Sequence, residues 1–205
     1  MSPLRSRCLR WAVGAAAAGV CLVVGSASAT ILVARDLTDL TLNASAVVLG
    51  RVLAVHGEWD PARSRIYTLA SVGVERTLKG AAEPTVTVRA LGGEIPGEQR
   101  GYRVPGAPRF EPGEEVLLFL RPEPAADEGG GPTKASVGTW QVVGWEQGKF
   151  AVAVDPASGQ RMVHPRISAL LVHPVTKQAV PTPLASMTLE ELERRIQAIL
   201  GLQGR

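Results

Sequence analysis

The clearest pattern in the chain is the alternation from Arg65 to Gly80, RIYTLASVGVERTLKG, in which Ile66, Thr68, Ala70, Val72, Val74 and Leu78 fall on one side. Tyr67, Leu69, Ser71, Gly73, Glu75 and Thr77 fall on the other, so one face is largely apolar and the opposite one mixed. A period of two sends successive side chains to opposite faces, so this stretch predicts a long half-buried strand ended by Lys79-Gly80. Ala46 to His56 predicts an earlier strand rich in Val and Leu, with Gly50 where a bulge or bend would fit. Asp60-Pro61 marks the turn that joins these two into a first hairpin. TVTVRA at 85 to 90 predicts a third strand, with Val86 and Val88 on one face. Glu115 to Leu120, EVLLFL, predicts a fourth, whose unbroken apolar character calls for cover on both faces. Thr139 to Trp145, Lys149 to Val154 and Gln160 to His164 follow as shorter strands separated by turn residues.

Between these runs the periodicity fails in three places. Leu91 to Gly113, LGGEIPGEQRGYRVPGAPRFEPG, is dense in glycine and proline and predicts a long loop with neither helix nor sheet. A loop of that length in a compact domain is usually functional or mobile. Arg121 to Ser136, with its GGGP core, predicts a flexible excursion, and 166–185 a Pro-punctuated linker. Near the start, Thr30 to Leu42 predicts a strand running into a short helical turn. Beyond the linker the period changes to that of a helix over 186–201: Thr188 and Glu191 form a capping box, Leu189, Leu192, Ile196, Ile199 and Leu200 make one stripe, and Gly201 ends it. The expected architecture is therefore mainly β, with a barrel domain over 30–165 and a C-terminal α-helix laid against it.

Residues 1–29 have a different character: an arginine-bearing start, an apolar run from Trp11 to Val24 and the small-residue end Ala27-Ser28-Ala29. That is the layout of a signal peptide with cleavage after Ala29, and it predicts an exported protein, periplasmic or extracellular. An uncleaved N-terminal anchor is the alternative, because the apolar run nearly reaches the ~20 residues that span a bilayer. Cys21 would permit a lipoprotein, but the branched Val20 stands where a small residue is wanted.

Composition sharpens this reading. The chain has 205 residues, 45% of them apolar, with Gly 22 and Pro 15, which suits one domain with many turns. Its formal charge of +3 comes from the leader: without Arg5, Arg7 and Arg10, the 22 basic residues become 19 against 19 acidic. A neutral domain without a basic stripe lacks the electrostatic footprint for phosphate, so nucleic acid is not an expected partner. Both cysteines, Cys8 and Cys21, lie in the leader, so the mature chain is held by packing and not by a disulfide.

Candidate chemistry is sparse. The histidines His56, His164 and His173 show no H-x-x-x-H spacing and no C-x-x-C accompanies them, so no metal site and no cofactor is expected. Ser45, Ser71 and Ser158 lack a nucleophile elbow. The carboxylate pairs Glu58/Asp60, Glu114/Glu115 and Asp127/Glu128 sit in turns, where acids serve solubility. Gly92-Gly93 precedes no helix start and makes no phosphate cradle. The long loop is different, because Tyr102 and Phe110 lie there beside Arg100, Arg103 and Arg109, a composition typical of interaction surfaces. With Trp59 at the first hairpin these are the candidate binding residues, although Phe110 is also suited to anchor its own loop.

Taken together, ASAVVLGRVLAVHGEWD, RIYTLASVGVERTLKG, VTVRALGGE, VPGAPRFEPGEEVLLFL and VVGWEQGKF resemble a family of uncharacterised exported bacterial proteins, over about Ser45 to Phe150. More remotely, their order is similar to the OB-like barrels of the netrin and tissue-inhibitor-of-metalloproteinase type. That resemblance implies a five- to six-stranded Greek-key barrel, here with an added hairpin and the C-terminal helix. It also implies a partner such as a secreted protease. Metalloproteinase inhibitors of this type cap zinc through a first-position cysteine, whereas the expected mature start here is Thr30. The expected function is thus an exported, non-catalytic binding module for a protein partner. The alternatives are a secreted hydrolase using Glu94, Glu98 or His56, and an envelope-anchored structural protein.

Overall fold

The computed structural model describes residues 30–123 and 138–203. The expected signal segment with both cysteines, most of the Gly/Pro excursion and the Asp127/Glu128 pair lie outside the described residues. In chain order the elements are β1 (Ile31–Val33), α1 (Leu37–Asn43), β2 (Ala46–Trp59), β3 (Ile66–Lys79), β4 (Thr85–Leu91), β5 (Gly93–Ile95), β6 (Arg100–Tyr102) and β7 (Glu115–Pro122). They continue with β8 (Thr139–Val142), a 3-10 turn at Trp145–Gly148, β9 (Lys149–Val154), β10 (Arg161–Pro165), β11 (Leu170–Val172), β12 (Met187–Thr188) and α2 (Leu189–Gln203). Among the described residues no helix is long and apolar enough to cross a membrane.

The fold is mainly β. One large sheet runs in the order β12-β10-β9-β7-β2-β3-β4-β8, and β8 pairs a second time with β7, which closes a ring of five strands, β7-β2-β3-β4-β8. Within the ring only the β4–β8 contact is parallel, through Thr87–Thr139 and Val88–Trp140. The long alternating stretch is β3, paired along nearly its whole length with β2 and over its first half with β4.

Alternation sorts β2 and β7 between two cores. Ala46, Val48 and Val52 face Val116, Leu118 and Leu120 inside the ring, together with Val72, Val86 and Val88. Val47, Leu49, Leu117 and Phe119 face outward, where α1 and α2 cover them with Leu40, Leu192 and Ile196. Both faces of β7 are therefore dry, which is why EVLLFL carries no polar alternate. Gly50 sits at one of three register shifts between β2 and β3, and a Cβ there would lie 2.3 Å from the Gly73 carbonyl oxygen. Gly80 has φ +71 and passes equally close to Ser45, so the turn after β3 requires glycine.

Polar groups fasten the pieces around the ring. Asp36 caps α1 by accepting from the Asp39 amide at 2.7 Å. At the other end of α1, Lys79 Nζ donates to the carbonyls of Thr41 and Ala44, each at 2.7 Å, placing positive charge where the last carbonyls lack partners. Thr188 Oγ1 accepts from the Glu191 amide at 3.2 Å, so the helix is capped where the sequence places its cap, and α2 continues through Gly201 to Gln203.

Besides the end of the helix, expected at Gly201, three expectations are corrected. The strand expected to reach Trp145 ends at Val142, because Trp145 takes φ 62 and opens the 3-10 turn. The loop 91–113 is not wholly irregular, since β5 and β6 form a small hairpin within it. The segment 166–185, expected as a linker, contains β11, which pairs in parallel with β1. Glu146, buried in the 3-10 turn, holds that segment by accepting from the amides of Ser168 and Ala169 at 2.6 and 2.7 Å and from Ser168 Oγ at 2.8 Å. Gln147, also buried, bonds to Arg35 and Val33 and ties the same turn to the chain beside β1.

Candidate functional site

The long loop leaves β4 at Leu91 and immediately folds back on β3. Gly92 N–H donates to the Ile66 carbonyl at 2.8 Å, and Thr68 Oγ1 donates to the Gly92 carbonyl at 2.7 Å. Gly92 has φ +89, open to glycine at little cost, and this lets the chain reverse into β5. β5 then crosses β2 so closely that a Cβ on Gly57 would lie 2.0 Å from the Glu94 carbonyl oxygen. β6 returns antiparallel to β5, with Gly93 opposite Tyr102 and Ile95 opposite Arg100. The Tyr102 hydroxyl accepts from Ile66 N–H at 3.2 Å and donates to the Ile66 carbonyl at 3.3 Å, so its ring is pinned to the start of β3.

Between this folded loop and the β2–β3 hairpin lies a cleft of ≈ 970 Å³. Arg100, Tyr102, Arg103, Arg109 and Phe110 all line it, as do His56 and Glu94. Phe110 is 7% exposed and packs among the ring-interior residues, so it both floors the cleft and anchors the loop. Tyr102 is 39% exposed, and the three arginines reach solvent. None of those arginines makes an ion pair or hydrogen bond through its side chain among the described residues.

Trp59 stands apart from the cleft lining, at the tip of the β2–β3 hairpin. Its Nε1–H donates to Glu98 Oε2 at 3.1 Å, and Arg63 pairs with Glu98 Oε1 at 2.9 Å while lying 5.7 Å from the Trp59 ring centroid. Trp59, Arg63 and Glu98 thus latch the β2–β3 tip onto the β5–β6 hairpin. The tip itself is shaped by Asp60, which accepts from Ser64 Oγ and from the Ser64 and Arg65 amides. These bonds, that from the Ser64 hydroxyl first, hold the Asp60 carboxyl below its ordinary pKa.

A smaller cavity of ≈ 360 Å³ lies on the other side of Pro108 and Arg109, and sequence reasoning missed the buried Lys149 in its lining. Lys149 is 8% exposed and donates to both carboxylate oxygens of Glu114 at 2.7 and 2.8 Å, with its Nζ 5.3 Å from the Phe110 ring centroid. Burial pulls the lysine pKa down, and the Glu114 carboxylate works against that shift. Nothing in KFAVAV marks Lys149 as buried, because its partner comes from the turn before β7. Glu98 sits in a Gly/Pro-rich loop where an acid is expected to face water, and its latch to Trp59 is equally hidden by their separation in sequence.

Among the described residues, neither Glu94 nor His56 is hydrogen-bonded to another side chain, and Glu98 is committed to Trp59 and Arg63. His164 bonds Ser186, and His173 Nδ1 accepts from the amides of its own turn. No group of three His, Cys, Asp or Glu residues is clustered closely enough to hold a metal among the described residues. What the cleft offers is contact area and positive charge. Compared with protein-family models and with curated proteins, the sequence matches none.

Proposed function

We propose that this chain is an exported, non-catalytic binding module that presents the cleft beside β5 and β6 to a protein partner. The observation that carries the reading is the convergence of Arg100, Tyr102, Arg103, Arg109 and Phe110, scattered along a Gly/Pro-rich loop, onto one concave surface. Interfaces are enriched in Tyr and Arg, and loops held by a rigid scaffold are where binding residues concentrate. The ring β2-β3-β4-β8-β7, with its single parallel contact, supports an OB-like Greek-key barrel as that scaffold, and α2 supplies the packed helix. Export rests on the signal-like layout of 1–29.

A secreted protease is the partner class that the netrin and metalloproteinase-inhibitor resemblance favours. Zinc capping by the mature amino terminus is not part of the proposal, because the Thr30 carbonyl accepts from Leu170 N–H at 3.1 Å beside the β1–β11 pair. Hydrolysis by loop carboxylates is disfavoured by the engagement of Glu98 with the latch.

The test removes the β5–β6 hairpin alone. Gly92 lies against Val104, so Gly93 can be joined to Val104 by a short glycine linker while Ala107 and Phe110 keep their buried places. Tagged full-length protein, expressed in its own host, should retain one stoichiometric partner from periplasm or culture fluid. The excised variant should keep its β-type circular dichroism and lose that partner. Equal retention by both proteins would overturn the reading.

A further inference from the structure

The cleft carries a net positive charge and is bordered by a strand whose second side is unpaired among the described residues. Arg100, Arg103 and Arg109 bring positive charge to the lining, and Glu94 is the one acid among the described residues that lines it with them. Glu111 and Glu114 lie on the far side of Arg109, around the smaller cavity, and Glu114 is taken by Lys149. Guanidinium groups present paired donors that match carboxylates, so three of them without a partner among the described residues make a site suited to anions.

β6 pairs with β5 and with no other strand among the described residues. Outside that pairing, Arg100, Gly101 and Tyr102 make no backbone hydrogen bond among those residues. An extended peptide adding to such an edge gains main-chain bonds, while alternate side chains reach the neighbouring surface. The arginine on the edge also discourages pairing with a second copy of this chain, since like charges would meet, but it favours an acidic strand.

Resting on the binding-module reading above, we infer that the cleft takes an extended, acidic peptide segment, paired with the free edge of β6 and held by Arg100, Arg103 and Arg109 through its carboxylates. The edge is three residues long, so charge supplies much of the affinity and the complex weakens as salt is added.

The experiment uses the whole protein and a short fluorescent peptide alternating glutamate and valine, followed by anisotropy. Saturable one-to-one binding is expected, lost by about tenfold or more in Arg100→Gln/Arg103→Gln/Arg109→Gln. Methylating alternate backbone nitrogens of the peptide should weaken it by a similar factor. A charge-reversed triple variant, each arginine changed to glutamate, should instead prefer a peptide alternating lysine and valine. These positions are exposed, and circular dichroism checks that each variant keeps its fold. Three results would overturn the inference: no saturable binding of the acidic peptide, undiminished binding by the triple glutamine variant, or full binding of the N-methylated peptide. Inorganic polyphosphate binding more tightly than the peptide would also overturn it, in favour of a general anion site. If the triple glutamine variant still retains the natural partner and hairpin excision abolishes it, the binding-module reading stands and the acidic-peptide inference falls.

Discussion

Leu118 shows how much a single position can rest on packing. It has no exposed surface and points into the ring between Val48 and the strands opposite, so Leu118→Ala should destabilise the protein by about 2 to 5 kcal/mol in urea unfolding. Its burial is legible in the sequence, because an apolar run with no polar alternate has to be covered on both faces. Lys149 is not legible in the same way, since a lysine at the start of a strand ordinarily projects into water. Removing its charge in Lys149→Met takes both lysine bonds from the Glu114 carboxylate in a half-closed site and leaves it the Glu111 amide at 3.4 Å, and a loss of about 1 to 3 kcal/mol is expected. Adding Glu114→Gln should recover part of that loss, measured as a double-mutant cycle. Gly50 lies between these cases: its place in a bend is expected from the strand pattern, but the reason for glycine is the Gly73 backbone beside it, which belongs to another strand.

At the level of elements, the small hairpin β5–β6 depends on contacts that no local pattern announces. Gly93-Glu94-Ile95 and Arg100-Gly101-Tyr102 have weak strand propensity and are short. They form a hairpin because β2 and β3 lie beneath them and because Trp59 and Arg63 grip Glu98 from the neighbouring tip. Trp59→Phe keeps an aromatic ring and removes the donor to Glu98. Amide exchange across 93–102 should then quicken, while the urea midpoint of the whole protein moves little. Unchanged exchange would show that the latch contributes nothing to hairpin order. The segment 166–185 makes the same point in reverse: its prolines argue for a linker, and the three bonds accepted by buried Glu146 make part of it a docked strap. Helix α2 needs no such help, because its stripe and cap lie within one stretch of sequence and its buried Leu192 and Ile196 fall where the period puts them.

Over the whole molecule, two kinds of shifted group contribute to stability in separate pH windows. Asp60, Asp155 and Glu191 are held below their ordinary values chiefly by bonds from Ser64, Ser158 and Arg195. Their folded pKa values lie below the unfolded ones, so their contribution is complete above the unfolded values of 3.8 and 4.5 and disappears as pH falls through the folded ones. Urea midpoints should therefore drop on acidification through that window, less steeply when all three residues are replaced by their amides. Lys149 acts at the alkaline end: its folded pKa is below 10.5, so the unfolded chain binds the extra proton and stability gains from this group as pH rises towards 10.5. Lys149→Met should lack that alkaline component. Periodicity, caps and turn residues act over a few neighbours, so the β character, the central strand, the doubly covered strand β7, the helix α2 and the loop that carries Arg100, Tyr102, Arg103, Arg109 and Phe110 can all be read from the residue order. The closure of the ring through β8, the folding of the loop into a hairpin, the use of Trp59 as a latch and the gathering of three arginines, unpaired among the described residues, in one cleft beside β6 come from the three-dimensional packing. Those outcomes depend on pairings between residues far apart in the chain, whose partners are chosen by the space the rest of the fold leaves open.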